Sequence, residues 1–192
     1  MQKTIFIVPG FRHDSTHTQY DWLTPFFQSI GFDVKKFNFK WDHKTMSDFT
    51  ADFSKYYNKY KSQTNYVLGF SYGAMAGLIT ANELKPNELI LCSLSPYFNE
   101  DIEKLKPWWK IYIGIHRSID FKKFEAIKIA KKIIIPTTVI YGSREGEQYP
   151  QLKHRCEEVA RLIPNAKLEV ADNAPHKIDY PSYVATIKKL FV

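Results

Sequence analysis

Residues 66–79 constrain the fold of this 192-residue chain more than any other stretch. The apolar run Tyr66-Val67-Leu68 leads into Gly69-Phe70-Ser71-Tyr72-Gly73, and Ala74-Met75-Ala76-Gly77-Leu78-Ile79 follows at once. That order predicts a strand, a one-residue corner and a helix, the setting in which a G-x-S-x-G pentapeptide makes a serine nucleophilic. So sharp a turn forces the serine backbone into a strained conformation and brings neighbouring backbone against the flanking positions. Glycine, with no Cβ, is wanted two residues before and two after. Composition alone supplies such a pentapeptide about one time in twenty in a chain this long, so its surroundings have to carry the argument.

Those surroundings alternate. Short apolar, β-branched runs predict strands at about Thr4–Val8, Asp33–Phe39, Tyr66–Phe70, Glu88–Ser93, Thr137–Tyr141 and Ala166–Val170. Helical patterns lie between them at about His17–Ser29, Ser47–Lys61, Tyr72–Leu84, Gln151–Ile163 and Ser182–Phe191. Thr45 and Ser47 are candidate caps for the second helix, Pro86 and Pro164 mark helix ends, and Pro181 marks a helix start. Alternation of this kind predicts an α/β fold, a three-layer α/β/α sandwich around a mostly parallel six-stranded sheet. The length suits one domain over 1–192.

One stretch breaks the rhythm. Pro96 to Pro136 is long for a connection, and it contains Pro107-Trp108-Trp109-Lys110-Ile111-Tyr112-Ile113 and Phe121-Lys122-Lys123-Phe124. It is expected to form one or two short helices, with residues 97–131 a candidate aromatic-rich lid over the strand ends. Trp108 and Trp109 read either as the wall of a substrate pocket or as ordinary packing. The second half, from Phe121 to Lys132, reads equally well as a crossover helix on the sheet.

Composition excludes several functions. The chain carries 27 Lys and Arg against 20 Asp and Glu, for a net charge of +7. The excess is nearly all lysine and is spread along the sequence, whereas base readout and phosphate clamping favour arginine. No nucleic-acid partner is therefore expected. No apolar stretch approaches the ~20 residues needed to span a bilayer, so no stable membrane insertion is expected. The apolar run Thr4–Val8 is shorter than a signal-peptide core, which points to the cytoplasm. The two cysteines, Cys92 and Cys156, read as reduced structural thiols.

A serine needs a base beside it, and the base needs a group to orient it. Serine hydrolases built on α/β sheets supply these in the chain order serine, acid, histidine, each just past a strand. Here Gly142-Ser143-Arg144-Glu145-Gly146-Glu147 follows the fifth strand and Ala171-Asp172-Asn173-Ala174-Pro175-His176 follows the sixth. Ser71, Glu145 and His176 thus stand in the required order. Glu147 and Asp101 remain open as alternative acids, while Asp172 and Asp179 are less well placed.

On Gly69–Gly73, on Gly142-x-x-Glu145 and on His176 before the last helix, the chain resembles the α/β-hydrolase family over nearly its full length. The resemblance implies the family's core sheet without its first two strands, in the order 2-1-3-4-5-6. Val8-Pro9-Gly10-Phe11 looks like the family's oxyanion loop. Proline has no N–H to donate, so the resemblance implies the backbone N–H of Phe11 as one donor and that of Tyr72 as the other. The acid departs from the family's usual aspartate, and the loop lacks the His-Gly pair of many esterases.

Arg12-His13-Asp14-x-x-His17 could in principle ligate a metal, but no fourth ligand cluster accompanies it. The loop reads instead as the mouth of the site, with Asp14, Ser15 or Thr16 near a helix start and Arg12 or His13 touching substrate. The expected activity is a serine hydrolase that cleaves a small-molecule ester or thioester through an acyl-enzyme, with no cofactor and no metal. Amide or peptide cleavage on the same triad, a non-catalytic binding module and a flavodoxin-like nucleotide-binding domain are the rival readings. The last of these would need a glycine-rich phosphate loop after the first strand, and none is present.

Overall fold

A computed structural model describes residues 2–14 and 16–191; Ser15, named above with Asp14 and Thr16, lies outside the described residues. Strands β1 (Lys3–Val8), β2 (Phe32–Lys36), β3 (Thr64–Phe70), β4 (Glu88–Cys92), β5 (Thr137–Gly142) and β6 (Ala166–Ala171) form one sheet in the order β2-β1-β3-β4-β5-β6. Every neighbouring pair is parallel. The order is the one the family resemblance implies, and parallel pairing gathers all the carboxyl ends at one edge.

Side chains alternate across the sheet, and each face has its own helical layer. Ile5, Ile7, Leu68, Phe70, Ile90, Cys92 and Ile140 point toward α1 (Leu23–Ser29) and α10 (Pro181–Lys189), where they meet Leu23, Phe27, Tyr183 and Ile187. Phe6, Val8, Val67, Leu89, Leu91 and Val139 point the other way. They pack under α2 (Met46–Tyr60), α3 (Tyr72–Leu84) and α9 (Pro150–Leu162). Each fully buried large side chain contributes about 1.5–3 kcal/mol, so a sheet covered on both faces reads as near-continuous apolar runs.

Local chemistry sets the helix ends. Thr45 caps α2: Thr45 N–H donates to the Asp48 carboxylate at 2.8 Å, and Asp48 N–H donates back to Thr45 Oγ1 at 3.5 Å. This reciprocal box satisfies two orphan donors. Pro181 occupies the first turn of α10, where its missing N–H costs nothing.

Three elements differ from the expectation. The strand expected over Asp33–Phe39 stops at Lys36, because its neighbour β1 ends at Val8 and Pro9 offers no donor. Phe37 N–H still reaches Ile7 O at 2.9 Å, after which the chain turns away, burying Phe37 and Phe39 against Phe49. The first helix does not begin at His17. A 3₁₀ turn spans Thr18–Tyr20, and α1 starts at Leu23 because Pro25 cannot bond back to residue 21. The long connection holds four short helices instead of one or two: α4 (Asn99–Ile102), α5 (Pro107–Ile113), α6 (Ile115–Phe121) and α7 (Ala126–Ala130).

Two buried charge clusters fasten that connection. Arg155 of α9 donates from Nε to Asp101 at 3.0 Å and from Nη2 to its other oxygen at 2.5 Å. The Asp120 carboxylate accepts from Ser47 N–H at 2.7 Å and Ser47 Oγ at 2.6 Å. Beside it, Arg117 donates to the carbonyls of Trp41 (2.6 Å) and Lys44 (2.8 Å). Among the described residues, no helix is long and apolar enough to cross a membrane.

Candidate active site

Ser71 sits between β3 and α3 at φ 57°, ψ −115°, a strained conformation for a residue with a Cβ. The close approach that produces the strain is visible at Gly73. A Cβ there would lie 2.1 Å from the carbonyl oxygen of Val8, so only glycine lets the elbow rest on the end of β1. Ser71 N–H donates to Cys92 O at 2.8 Å, tying the corner to the end of β4.

His176 comes from the loop after β6, and its ring packs on Phe70, the residue before Ser71, with centroids 4.8 Å apart. Its Nε2 lies 3.1 Å from Ser71 Oγ. Its Nδ1 contacts the Glu145 carboxylate. A carboxylate can only accept, so Nδ1 carries the proton and Nε2 is left to accept from the serine hydroxyl. With its proton so directed, Ser71 Oγ accepts in turn from Ser95 Oγ, 3.2 Å away.

Glu145 lies in the first turn of the short helix α8 (Ser143–Gln148), just past β5. It is fully buried, yet its carboxylate is well supplied with donors. Besides His176 it accepts from Gly142 N–H at 3.0 Å and from Ser93 Oγ at 2.8 Å. Ser93 Oγ also meets Tyr183 Oη at 2.9 Å, and the single Tyr183 proton is shared with the Ile140 carbonyl at 3.0 Å. Burying a carboxylate is tolerable only when it is hydrogen-bonded in this way.

The loops after β5 and β6 are locked together by another close approach. Glu145 N–H donates to Ala174 O at 3.1 Å, and a Cβ on Gly142 would lie 2.2 Å from that same oxygen. Glu145 and His176 therefore arrive as one unit. Of the alternative acids, Glu147 is exposed on the outer side of α8. Asp101 is bound to Arg155, and Asp172 and Asp179 are solvated.

The loop after β1 closes the other side. Gly10 N–H donates to Tyr20 Oη at 2.8 Å and is thereby occupied. Phe11 follows, its ring 5.5 Å from that of Tyr72, so the two residues face each other across the elbow. Tyr72 opens α3, and its N–H is one of the first four that a helix leaves without an internal partner. Tyr20 Oη, having accepted from Gly10, donates its own proton to His13 Nδ1 at 2.9 Å. His13 is thus held neutral with its proton on Nε2, and its pKa is lowered to about 4 by burial and by the neighbouring His17 and His176.

The four residues expected to touch substrate lie in different settings. His13 is half-buried and stacked on His17, with centroids 3.9 Å apart. Arg12 is exposed, with its guanidinium 5.0 Å from the Tyr112 ring and 5.2 Å from the Phe11 ring. Trp109 is half-buried and stacked on Tyr112 at 5.1 Å. Trp108 is 58% exposed and stands on the outer side of α5. Among the described residues, no group of three or more His, Cys, Asp or Glu is arranged to hold a metal ion. Cys92 and Cys156 are free and buried, and burial pushes both thiols up.

Two residues escaped the sequence reading. Ser93 and Ser95 follow β4 and are buried at the centre of the constellation. The signal was present: Ser93 interrupts the apolar run Leu89–Leu94, and Ser95 ends it just before Pro96.

No protein-family model matches the chain, and no curated protein matches it in sequence. Solved structures do. Est1E from Butyrivibrio proteoclasticus superposes with a TM-score of 0.78 at 15% identity, over 99% of this chain and 85% of that one. An alpha/beta hydrolase enzyme from the metagenome of Mar Chica lagoon sediments, Morocco, gives 0.76 at 17% identity, over 100% and 91%. A Pyrococcus furiosus esterase gives 0.70 at 20% identity, over 98% and 80%. Likeness at this level of identity speaks to the fold.

Proposed function

We propose, on the premise that this chain has the α/β-hydrolase fold, that it is a serine hydrolase cleaving a carboxylic ester or thioester through an acyl-enzyme on Ser71. The observation that carries the reading is the position of His176, with Nε2 3.1 Å from Ser71 Oγ and Nδ1 on the buried Glu145 carboxylate. Nucleophile, base and orienting acid are joined in one hydrogen-bonded line, which a non-catalytic binding module has no need to maintain.

In this reading Ser71 Oγ attacks the substrate carbonyl carbon while His176 Nε2 takes the serine proton. The negative charge gathers on the carbonyl oxygen, where the N–H groups of Phe11 and Tyr72 stabilise it. Glu145 holds the imidazole in the required tautomer and stabilises its cation. His176 then hands the proton to the departing alcohol or thiol, leaving the acyl group on Ser71. Water, deprotonated by the same His176, releases the carboxylic acid and restores the serine. All of these groups belong to the protein, so the steps need no cofactor.

Among the structures of similar fold, Est1E is also known with ferulic acid bound, which supports a small carboxylic acid as the acyl part. Trp109, Tyr112 and Phe11 would offer it an apolar wall, with His13 Nε2–H and Arg12 as polar contacts near the mouth. The test is turnover of p-nitrophenyl esters of increasing chain length by the native protein and by Ser71→Ala. The expected result is ester cleavage that Ser71→Ala loses by a factor of at least about 10³. Cleavage of anilides but not esters would move the reaction to amides. Undiminished cleavage by Ser71→Ala would remove the nucleophile from the scheme.

A further inference from the structure

The helices α5 and α6 carry an outward-facing apolar strip. Trp108 (58% exposed), Ile111 (81%), Tyr112 (44%), Ile115 (71%) and Ile119 (58%) are five of the nine large hydrophobic side chains that stand exposed among the described residues. Within each helix they recur at steps of three and four residues, Trp108, Ile111 and Tyr112 on α5 and Ile115 and Ile119 on α6, so each of the two consecutive helices turns one apolar side outward. The inner residues Ile113 and Phe121 are buried in the core, so the exposure of the outer five is not a symptom of loose packing. Arg117, Asp120 and Asp101 hold the segment down through the bonds already described.

The same stretch is strongly basic. Between residues 103 and 123 stand Lys104, Lys106, Lys110, Arg117, Lys122 and Lys123 against Glu103 and Asp120. Lys104 and Lys106 are exposed immediately before the strip begins. Lys110 and Lys122 approach the single carboxylate of Glu103 at 3.6 Å each, so one acid is shared between two cations. Arg12 adds a further cation at the edge of the strip, over the Tyr112 ring. Exposed Trp, Tyr and Ile bordered by lysines is the chemistry of a segment that lies in a bilayer interface. There aliphatic groups enter the acyl boundary, aromatic rings sit at headgroup depth and cations meet anionic headgroups.

We infer that the α5–α6 face is a docking surface for an anionic lipid bilayer, with Ile111 and Ile115 inserting and Lys104 and Lys106 on the headgroups. Neither element is sufficient alone. A small apolar insertion gives weak, reversible attachment, and a basic cluster supplies the second signal that stable association needs. The surface adjoins the site, since the Tyr112 ring lies 5.8 Å from the ring of Phe11 on the loop beside Ser71. Docking would therefore bring the mouth to the bilayer. On the serine-hydrolase reading above, that favours acyl esters partitioned into the membrane over freely soluble ones.

The test is sedimentation of the protein with vesicles, run on both native protein and Ser71→Ala so that binding is read apart from turnover. Expected is binding to phosphatidylglycerol-containing vesicles, weak binding to phosphatidylcholine alone, and loss of binding near 1 M salt, where screening acts over about 3 Å. Ile111→Asp with Ile115→Asp, or Lys104→Glu with Lys106→Glu, lowers the affinity at least about tenfold. These side chains are exposed, so circular dichroism and melting should stay native. Equal binding by native protein and variants, or no binding to anionic vesicles, overturns the proposal. So does native self-association that disappears in the isoleucine variant without any vesicle binding, because a second copy would then cover the face. Failed ester turnover alongside retained, variant-sensitive sedimentation would remove the reaction and leave the surface.

Discussion

Ser93 Oγ lies 2.8 Å from Glu145 Oε2, so a buried hydroxyl donates to a carboxylate that has no access to water. Ser93 does this from φ 53°, a left-handed conformation in which glycine would be less strained. The residue thus holds an unfavourable backbone position while supplying a hydrogen bond to the proposed triad acid.

Two substitutions separate those effects. Ser93→Gly relieves the backbone and loses the hydroxyl, so its thermal midpoint should change by only a few degrees. Ester turnover should fall about tenfold or more as Glu145 loses a positioning donor. Ser93→Ala keeps the strain and loses the bond, and should cost about 1–3 kcal/mol as well. Native turnover in Ser93→Gly would show that Glu145 needs no help from this side.

Glu145→Gln removes the charge that orients His176 and can leave the imidazole in the wrong tautomer. A loss in kcat of about 10²–10⁴ is expected. Glu147→Gln, on the exposed side of the same helix, should stay within about twofold. Steady-state kinetics on one ester settles the pair, and the opposite ranking would move the acid to Glu147.

Gly142→Ala places a methyl 2.2 Å from the Ala174 carbonyl, backbone against backbone. The loops that carry Glu145 and His176 must then separate. Expected is a loss of several kcal/mol in a denaturant titration together with a collapse of turnover. A variant of native stability and activity would show that the junction yields freely.

Much of this was legible in the sequence. The run from Tyr66 to Ile79 dictates a strand, corner and helix, and chain order placed a glutamate and His176 at successive strand ends. The sheet order followed from the family resemblance. What was not legible depended on distant partners. Lys36 to Phe39 alternates like a strand, yet pairing stops where β1 ends, so its boundary is set by Pro9 and not by its own residues. Ser93 and Ser95 look like ordinary residues of a buried run. Their roles arise only when β4 is brought beside the ends of β3 and β5, and the positive φ of Ser93 leaves no mark on composition. The helices of the 99–130 segment were under-counted because Gly114 and Pro107 divide what reads as one aromatic stretch.

His13 gives a pH-dependent prediction. Its folded pKa is lowered to about 4, from 6.5, by burial first and by His17 and His176 next, with Asp14 opposing. Between those values the unfolded chain takes up a proton that the folded chain refuses. This contribution to stability is therefore whole above about pH 6.5 and lost as pH falls toward about 4. His13→Gln should flatten the fall in urea midpoint between about pH 7 and about pH 5. Tyr20→Phe strands the Gly10 N–H and should cost about 1–3 kcal/mol at neutral pH. An unaltered pH slope in His13→Gln would place the acid sensitivity elsewhere.

Reaction with a fluorophosphonate, read by intact mass and peptide mapping, tests the proposed line from Ser71 through His176 to Glu145 most directly. The native protein should gain one covalent adduct, located on Ser71. Ser71→Ala should gain none, and His176→Ala should label at least about 10³-fold more slowly. A native protein that stays unmodified, or an adduct that persists in Ser71→Ala, would contradict the proposal that Ser71 is an activated nucleophile.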